Sequence, residues 1–191
     1  MGAAAAGHEL DHIAIAARDL DEGARWLRDL LGVEAEAGGR HPLMGTHNLL
    51  LSLGPREYLE IIAIDPDAPP PARRRWFGLD GFDGPPRLAG WVVRARPLTA
   101  PAGTTIAEAS RGDLRWRITL PEAGQMPDEG AQPILIDWHG GAHPCDRLAD
   151  RGLRLAGLCL PLDRMPLADP RLSRDPRFGA IIATPGGPVR L

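Results

Sequence analysis

LDHIAIAARDLDEGARWLRDLLG at residues 10–32, then THNLLLSLG at 46–54 and REYLEIIAID at 56–65, sets the architecture of this chain. Residues 10–19 alternate as a strand does, whereas 19–32 repeat with helical spacing. Leu20, Ala24, Leu27 and Leu31 share one face of that helix, which must bury against a sheet. Asp19 is placed to cap its start, with Glu22 three residues on as a capping-box-like partner, and Gly32 ends it. Gly38-Gly39 and His41-Pro42 mark a loop. The apolar runs 46–53 and 56–65 follow, joined by a turn at Gly54-Pro55. The order is strand, helix, three further strands.

Strand alternation assigns the faces. Asp11, Ile13, Ile15 and Ala17 share the face that suits the helix, and His12, Ala14 and Ala16 share the other, an open concave surface. Glu60 lies with Tyr58, Ile62 and Ile64 on a strand whose two faces are both apolar, so its carboxylate must be paired or must bind something. On 46–53 the all-Leu face goes to the helix with His47, which leaves Asn48 and Ser52 beside His12. A His and a carboxylate on separate strands of one small sheet are what a metal site, or a polar floor under a ligand, requires.

Beyond residue 65, DPDAPPP at 65–71 supports neither ladder nor helix and reads as a linker, and Arg73-Arg74-Arg75 as a solvated run. A second set of strands follows at 87–95, 105–109, 114–120 and 133–138, and a third, weaker set at 153–162, 178–183 and 189–191. The region after Arg96 is broken by Pro and Gly, so the later sets have no convincing helix. The organisation expected is a flexible N-terminus (1–9), a first βαβββ module (10–65), a linker (66–86), a second, degenerate module (87–144) and C-terminal strands completing the same domain (145–191).

Composition narrows the functional classes. A net charge of -3 over 191 residues gives no basic field for nucleic acid and no polybasic membrane patch. All 22 cationic residues are Arg, so no lysine Schiff base or lysine general base exists. Cys145 and Cys159 read as reduced thiols, the N-terminus as no signal peptide, and no apolar run reaches the ~20 residues of a membrane span. A cytoplasmic protein is expected. His8-Glu9-Leu10-Asp11-His12 is formally HExxH, but that motif works on a helix; on a strand the two His stand ~13 Å apart. His139, His143 and Cys145 in WHGGAHPC read as hydrogen-bonding loop residues before metal ligands, and nucleotide-binding and serine-hydrolase motifs are absent.

The ordered set LDHIAIAARDL (10–20), GGRHP (38–42), GTHNLLLSLG (45–54), YLEIIAID (58–65), AGWVVRA (89–95), ILIDW (134–138) and ATPGGPVRL (183–191) resembles the vicinal oxygen chelate superfamily, and more closely its glyoxalase-like domain family. The resemblance implies an α+β fold in which paired βαβββ modules form a half-open barrel of the glyoxalase/dihydroxybiphenyl dioxygenase type, the second module degenerate and followed by an extra hairpin. It implies a divalent metal (Zn, Mn, Fe or Ni) on the barrel floor in metal-dependent members, with ligands from the first and last strands of each module. By position those are His12 and Glu60 in the first module. In the second, Gly90 stands at a ligand place and Asp137 is the remaining donor.

Two functions follow. One is a metal-dependent lyase, isomerase or dioxygenase acting on a small oxygenated molecule, with Glu60 as ligand or as a base whose pKa burial raises. The other is a metal-free binding protein in which Trp91, Trp116 and Trp138 stack on a ligand and His41, Asn48 and Arg94 make polar contacts, Gly90 leaving space for it. The expected partner is a small molecule, neither nucleic acid nor membrane, and a homodimer is compatible with the family.

Overall fold

The structure, a computed structural model, describes residues 7–122 and 126–191. Residues 1–6 of the expected flexible N-terminus lie outside these, and His8 and Glu9 already belong to the first strand. β1 (His8–Ala16) is extended throughout, as the strand reading of HExxH requires. It leads into α1 (Leu20–Leu31), β2 (Glu36–His41), β3 (Thr46–Gly54) and β4 (Glu57–Ile64). The Asp19 carboxylate caps α1 by accepting from the Glu22 amide at 2.7 Å, and Gly32 closes it at φ 71° with its N–H on the Arg28 carbonyl. Glu22 does not complete a capping box; its carboxylate takes the Arg18 guanidinium instead.

After a short turn segment, Trp76–Gly81, the second module runs β5 (Arg87–Ala95), β6 (Thr104–Arg111), β7 (Leu114–Pro121) and β8 (Ile134–Asp137), with no α-helix between β5 and β6. All eight strands form one sheet in the order β2-β3-β4-β1-β5-β8-β7-β6. β1 pairs with β4 in parallel and β5 with β8 in parallel, and the modules join by the antiparallel β1–β5 ladder. The sheet curls into a half-barrel, its edges β2 and β6 drawn together. Near its C-terminus the chain adds β9 (Arg154–Leu160), β10 (Leu172–Arg174), β11 (Gly179–Thr184) and β12 (Gly187–Arg190) as a second sheet, ordered β10-β9-β11-β12. The parallel strand β10 was not expected.

Two cores lie on opposite faces of the large sheet. On the convex side Ile13, Ile15, Leu51, Leu59 and Ile61 pack with Leu27 and Leu31 of α1, and the same cluster continues through Trp91 and Val93 to Leu155, Leu158, Leu160, Ala180 and Ile182. The small sheet thus completes the apolar cluster on the convex side, with β9 lying against β3. On the concave side Ala14, Ala16 and Ile62 meet Val92, Trp116, Ile118, Ile134, Ile136 and Trp138. Trp76, Phe77 and Leu79, from the segment expected to be a linker, are buried in this inner core. Among the described residues no helix is long and apolar enough to cross a membrane.

Candidate functional site

The inner face of β1 begins with an irregularity. The β1–β5 register shifts between Leu10 and His12, opposite Val93 and Val92, so Asp11 is an extra residue in the ladder. This bulge overturns the expectation that Asp11 shares the helix face with Ile13. Asp11 is fully buried on the inner side, where one carboxylate oxygen lies 2.6 Å from His12 Nδ1. The other accepts from Trp138 Nε1 at 3.0 Å, Arg94 Nη1 at 3.1 Å and His143 Nε2 at 3.2 Å. His143 Nδ1 accepts the Cys145 amide, which leaves its proton on Nε2, facing Asp11. So many donors, His12 included, hold the Asp11 carboxyl well below the usual range against the opposing effect of burial.

Held by Asp11, His12 turns Nε2 towards Glu60, 3.6 Å from Oε2, and its ring stacks on Tyr58 at 4.4 Å between centroids. Burial alone would lower the His12 pKa, but Asp11 and Glu60 outweigh it and raise the value above 6.5. Glu60 sits where alternation placed it, with Tyr58 and Ile62. Its other oxygen, Oε1, accepts from Asn48 Nδ2 at 2.5 Å. Sequence reasoning expected burial to raise the Glu60 pKa. Burial does push it up, but the attraction of His12, with smaller help from His41 and Asn48, holds it at about 2. His12 and Glu60 are therefore a buried imidazolium–carboxylate pair, and a free-state base of that pKa is weak.

His41, at the end of β2, completes the cluster. Its Nδ1 lies 3.0 Å from Thr46 Oγ1, and its Nε2 receives Asn48 Nδ2 at 3.3 Å, so the ring is neutral with its proton on Nδ1. Burial, together with the nearby cations Arg111 and His12, lowers its pKa to about 4 despite Glu60. Around these groups lies a cavity of about 20 Å³, walled by Tyr58, Trp76, Phe77, Trp116 and Trp138 and closed by Arg111. It holds about one water molecule as it stands. Phe77, held at φ 54°, fills space beside Gly90: a Cβ on Gly90 would come within 2.8 Å of the ring. The room expected at Gly90 for a ligand is occupied by this aromatic ring.

The remaining expected residues sort cleanly. Trp138 lines the cavity, as does Trp116. Trp91 does not, because it pairs with Ile13 across the ladder and so faces the convex core, its Nε1 donating to the Ala131 carbonyl at 2.8 Å. Arg94 stands behind the site, bonded to Asp11, Glu9 and the Arg56 carbonyl. Ser52 bonds the local turn at Gly54. Asp137 is tied to Arg117 at 2.8 Å and to the His139 amide, and the inward residue next to it is Ile136. Sequence reasoning missed Asp11, Trp76, Phe77 and Arg111. The only local signal among them is the apolar WFGL at 76–79, interrupting a Pro- and charge-rich stretch.

This donor set does not fit a resident divalent ion. Asn48's amide nitrogen already stands between Glu60 Oε1 and the His41 Nε2 lone pair. Turning the amide would set its oxygen against the carboxylate. Among the described residues no group of three or more His, Cys, Asp or Glu side chains is arranged to hold a metal.

The glyoxalase-like domain family matches this sequence over residues 10–174. No curated protein matches it significantly. Among solved structures, a hypothetical protein from Staphylococcus aureus superposes with a TM-score of 0.51 at 14% identity, over 80% of this chain and 69% of the other. Methylmalonyl-CoA epimerase from Mycobacterium tuberculosis gives 0.44 at 19% identity, over 68% and 85%. A Streptomyces coelicolor methylmalonyl-CoA epimerase in complex with 2-nitronate-propionyl-CoA gives 0.45 at 20%, over 71% and 98%. At such identities what is shared is the fold.

Proposed function

The chain belongs to the glyoxalase-like domain family, and from that membership and the site's geometry we propose that it binds one small oxygenated molecule in the concave pocket of the large sheet and acts on it by proton transfer. The observation that carries this reading is the buried His12–Glu60 pair facing an aromatic-walled cavity. A buried ion pair that only served stability gains little over hydrocarbon of the same volume. His12, kept charged by Asp11 and Glu60, is a proton donor for a substrate oxygen and stabilises negative charge developing there. Glu60 holds that proton in place on Nε2, and His12 takes it back when the charge on the substrate oxygen collapses, which restores the starting pair. Asn48 fixes Glu60, and the Nε2 lone pair of neutral His41 accepts from a substrate hydroxyl once Asn48 yields it.

A second reading, binding without turnover, is favoured by one feature. Phe77 and Trp76 close the pocket to about one water's space, so a ligand enters only as that segment shifts. Two measurements test the first reading together: metal content of untagged protein purified without chelator, and small-molecule binding by wild type and Glu60→Gln. The expected result is substoichiometric metal, a chelator-independent melting temperature, and binding weakened in Glu60→Gln with the fold intact. Stoichiometric metal lost in Glu60→Gln would overturn the proton-transfer reading in favour of a metal-dependent one.

A further inference from the structure

Arg111, the last residue of β6, is only 5% exposed and lines the same cavity, yet it makes no ion pair or side-chain hydrogen bond among the described residues. The segments outside the description, 1–6 and 123–125, contain no acidic side chain that would pair with it. Its stem crosses from β6 to the opposite edge strand, β2, over Gly39, where a Cβ would come within 2.9 Å of Arg111 Cγ. The crossing brings the guanidinium to the pocket beside His41. Two more donors belong to the same wall: the indole N–H groups of Trp76 and Trp116 are buried and have no partner. The one carboxylate in the cavity, Glu60, is already matched by His12 and Asn48. Donors are thus in excess: the two indole N–H groups are buried and unpaired, which is costly unless a ligand supplies acceptors, and the guanidinium beside them lines the cavity with no counterion among the described residues.

We infer that the pocket recognises a small molecule bearing a carboxylate, which pairs with Arg111 and accepts from the Trp76 and Trp116 indoles while His12 faces the reacting oxygen. This rests on the pocket reading above and names its substrate class. A planar guanidinium matches a carboxylate with two parallel hydrogen bonds, and flat aromatic walls suit a planar ligand. A single guanidinium flanked by two indole N–H donors matches the two acceptor oxygens and single charge of a carboxylate better than a phosphate dianion.

The test uses paired probes, benzoate against benzamide and glycolate against glycolamide, with inorganic phosphate as a further anion. Fluorescence of the pocket tryptophans is read in wild type, Arg111→Met and Arg111→Lys. Wild type is expected to bind the carboxylates at least tenfold more tightly than the amides and more tightly than phosphate. Arg111→Met should lose that preference while keeping amide binding within about threefold, and Arg111→Lys should recover part of it. The free Arg111→Met protein should melt no lower than wild type, because no ion pair or side-chain hydrogen bond is lost with the guanidinium. Equal binding of acid and amide, unchanged in Arg111→Met, would overturn the carboxylate assignment and leave the pocket standing. Tighter binding of phosphate than of carboxylates would overturn it in favour of a phosphate-bearing ligand. A melting temperature that falls in Arg111→Met would make Arg111 a structural residue. If no probe perturbs the fluorescence saturably, the pocket reading fails and the carboxylate assignment with it.

Discussion

The two modules use the same strand order for opposite purposes. The first lines its inner face with His12, His41, Asn48 and Glu60, whereas the second lines its inner face with Val92, Ile118, Ile134 and Ile136. Outside, the first has the capped helix α1 on β3 and β4 and the second has no helix of its own, while the small sheet joins the shared convex cluster with β9 against β3. The duplicated scaffold does not duplicate the chemistry. Burying a charged pair requires a network of partners, and only β1 carries the bulge that turns Asp11 inward to build one. The second module contributes packing surface, the indoles of Trp116 and Trp138, and one cation, Arg111, at its far edge.

Removing the network should have the largest effect. Asp11→Ala leaves His12 and Arg94 without their shared buried counterion and should cost ~3–5 kcal/mol in urea unfolding. Asp11→Asn, which keeps the shape and some hydrogen bonds, should cost less. A loss below ~1 kcal/mol for the alanine variant would mean that the polar half is not held by this carboxylate.

On the apolar half the corresponding probe is Gly90→Ala. The added methyl meets the Phe77 ring at 2.8 Å and Met126 Cε at 3.2 Å. Overpacking of this kind costs ~1–3 kcal/mol, read as a lower urea midpoint. Unchanged stability would show that Phe77 does not fill the place at which the first module's pattern calls for a ligand.

Much of this contrast was legible in the sequence, and what escaped did so for physical reasons. Periodicity gave α1 and the strands, because an apolar face repeats at 3.6 or 2 residues whatever it packs against. Alternation placed His12, Asn48 and Glu60 on one face and Leu49, Leu51 and Leu53 on the other, as found. It failed at Asp11 because a one-residue bulge reverses parity without leaving a mark in composition. Trp91 was misassigned although β1–β5 pairing fixes its side, because that pairing is a tertiary fact. Arg111 was invisible: its role depends on two sheet edges meeting, which no local pattern encodes.

The pH profile should show a smaller, graded effect. The folded Glu60 pKa, about 2, lies below its ordinary 4.5, so the unfolded chain binds the proton first and stability is lost as pH falls through that window. His41, at about 4 against 6.5, adds a loss between those values for the same reason. His12 is raised, so its contribution is complete below 6.5 and fades as pH rises through its folded value. Urea stability should therefore peak near neutrality and fall on both sides. In Glu60→Gln the loss below pH 4.5 should shrink. An acid limb identical to wild type would remove Glu60 from the account.

The most direct test of a charged His12–Glu60 pair beside a neutral His41 is nitrogen NMR of the two imidazoles across pH, in wild type and Glu60→Gln. The expected result is a His12 that remains an imidazolium above pH 6.5 and titrates lower in Glu60→Gln, with a His41 that stays neutral down to about pH 4. A His12 that is neutral at pH 6.5, or whose titration is the same in both proteins, would contradict it.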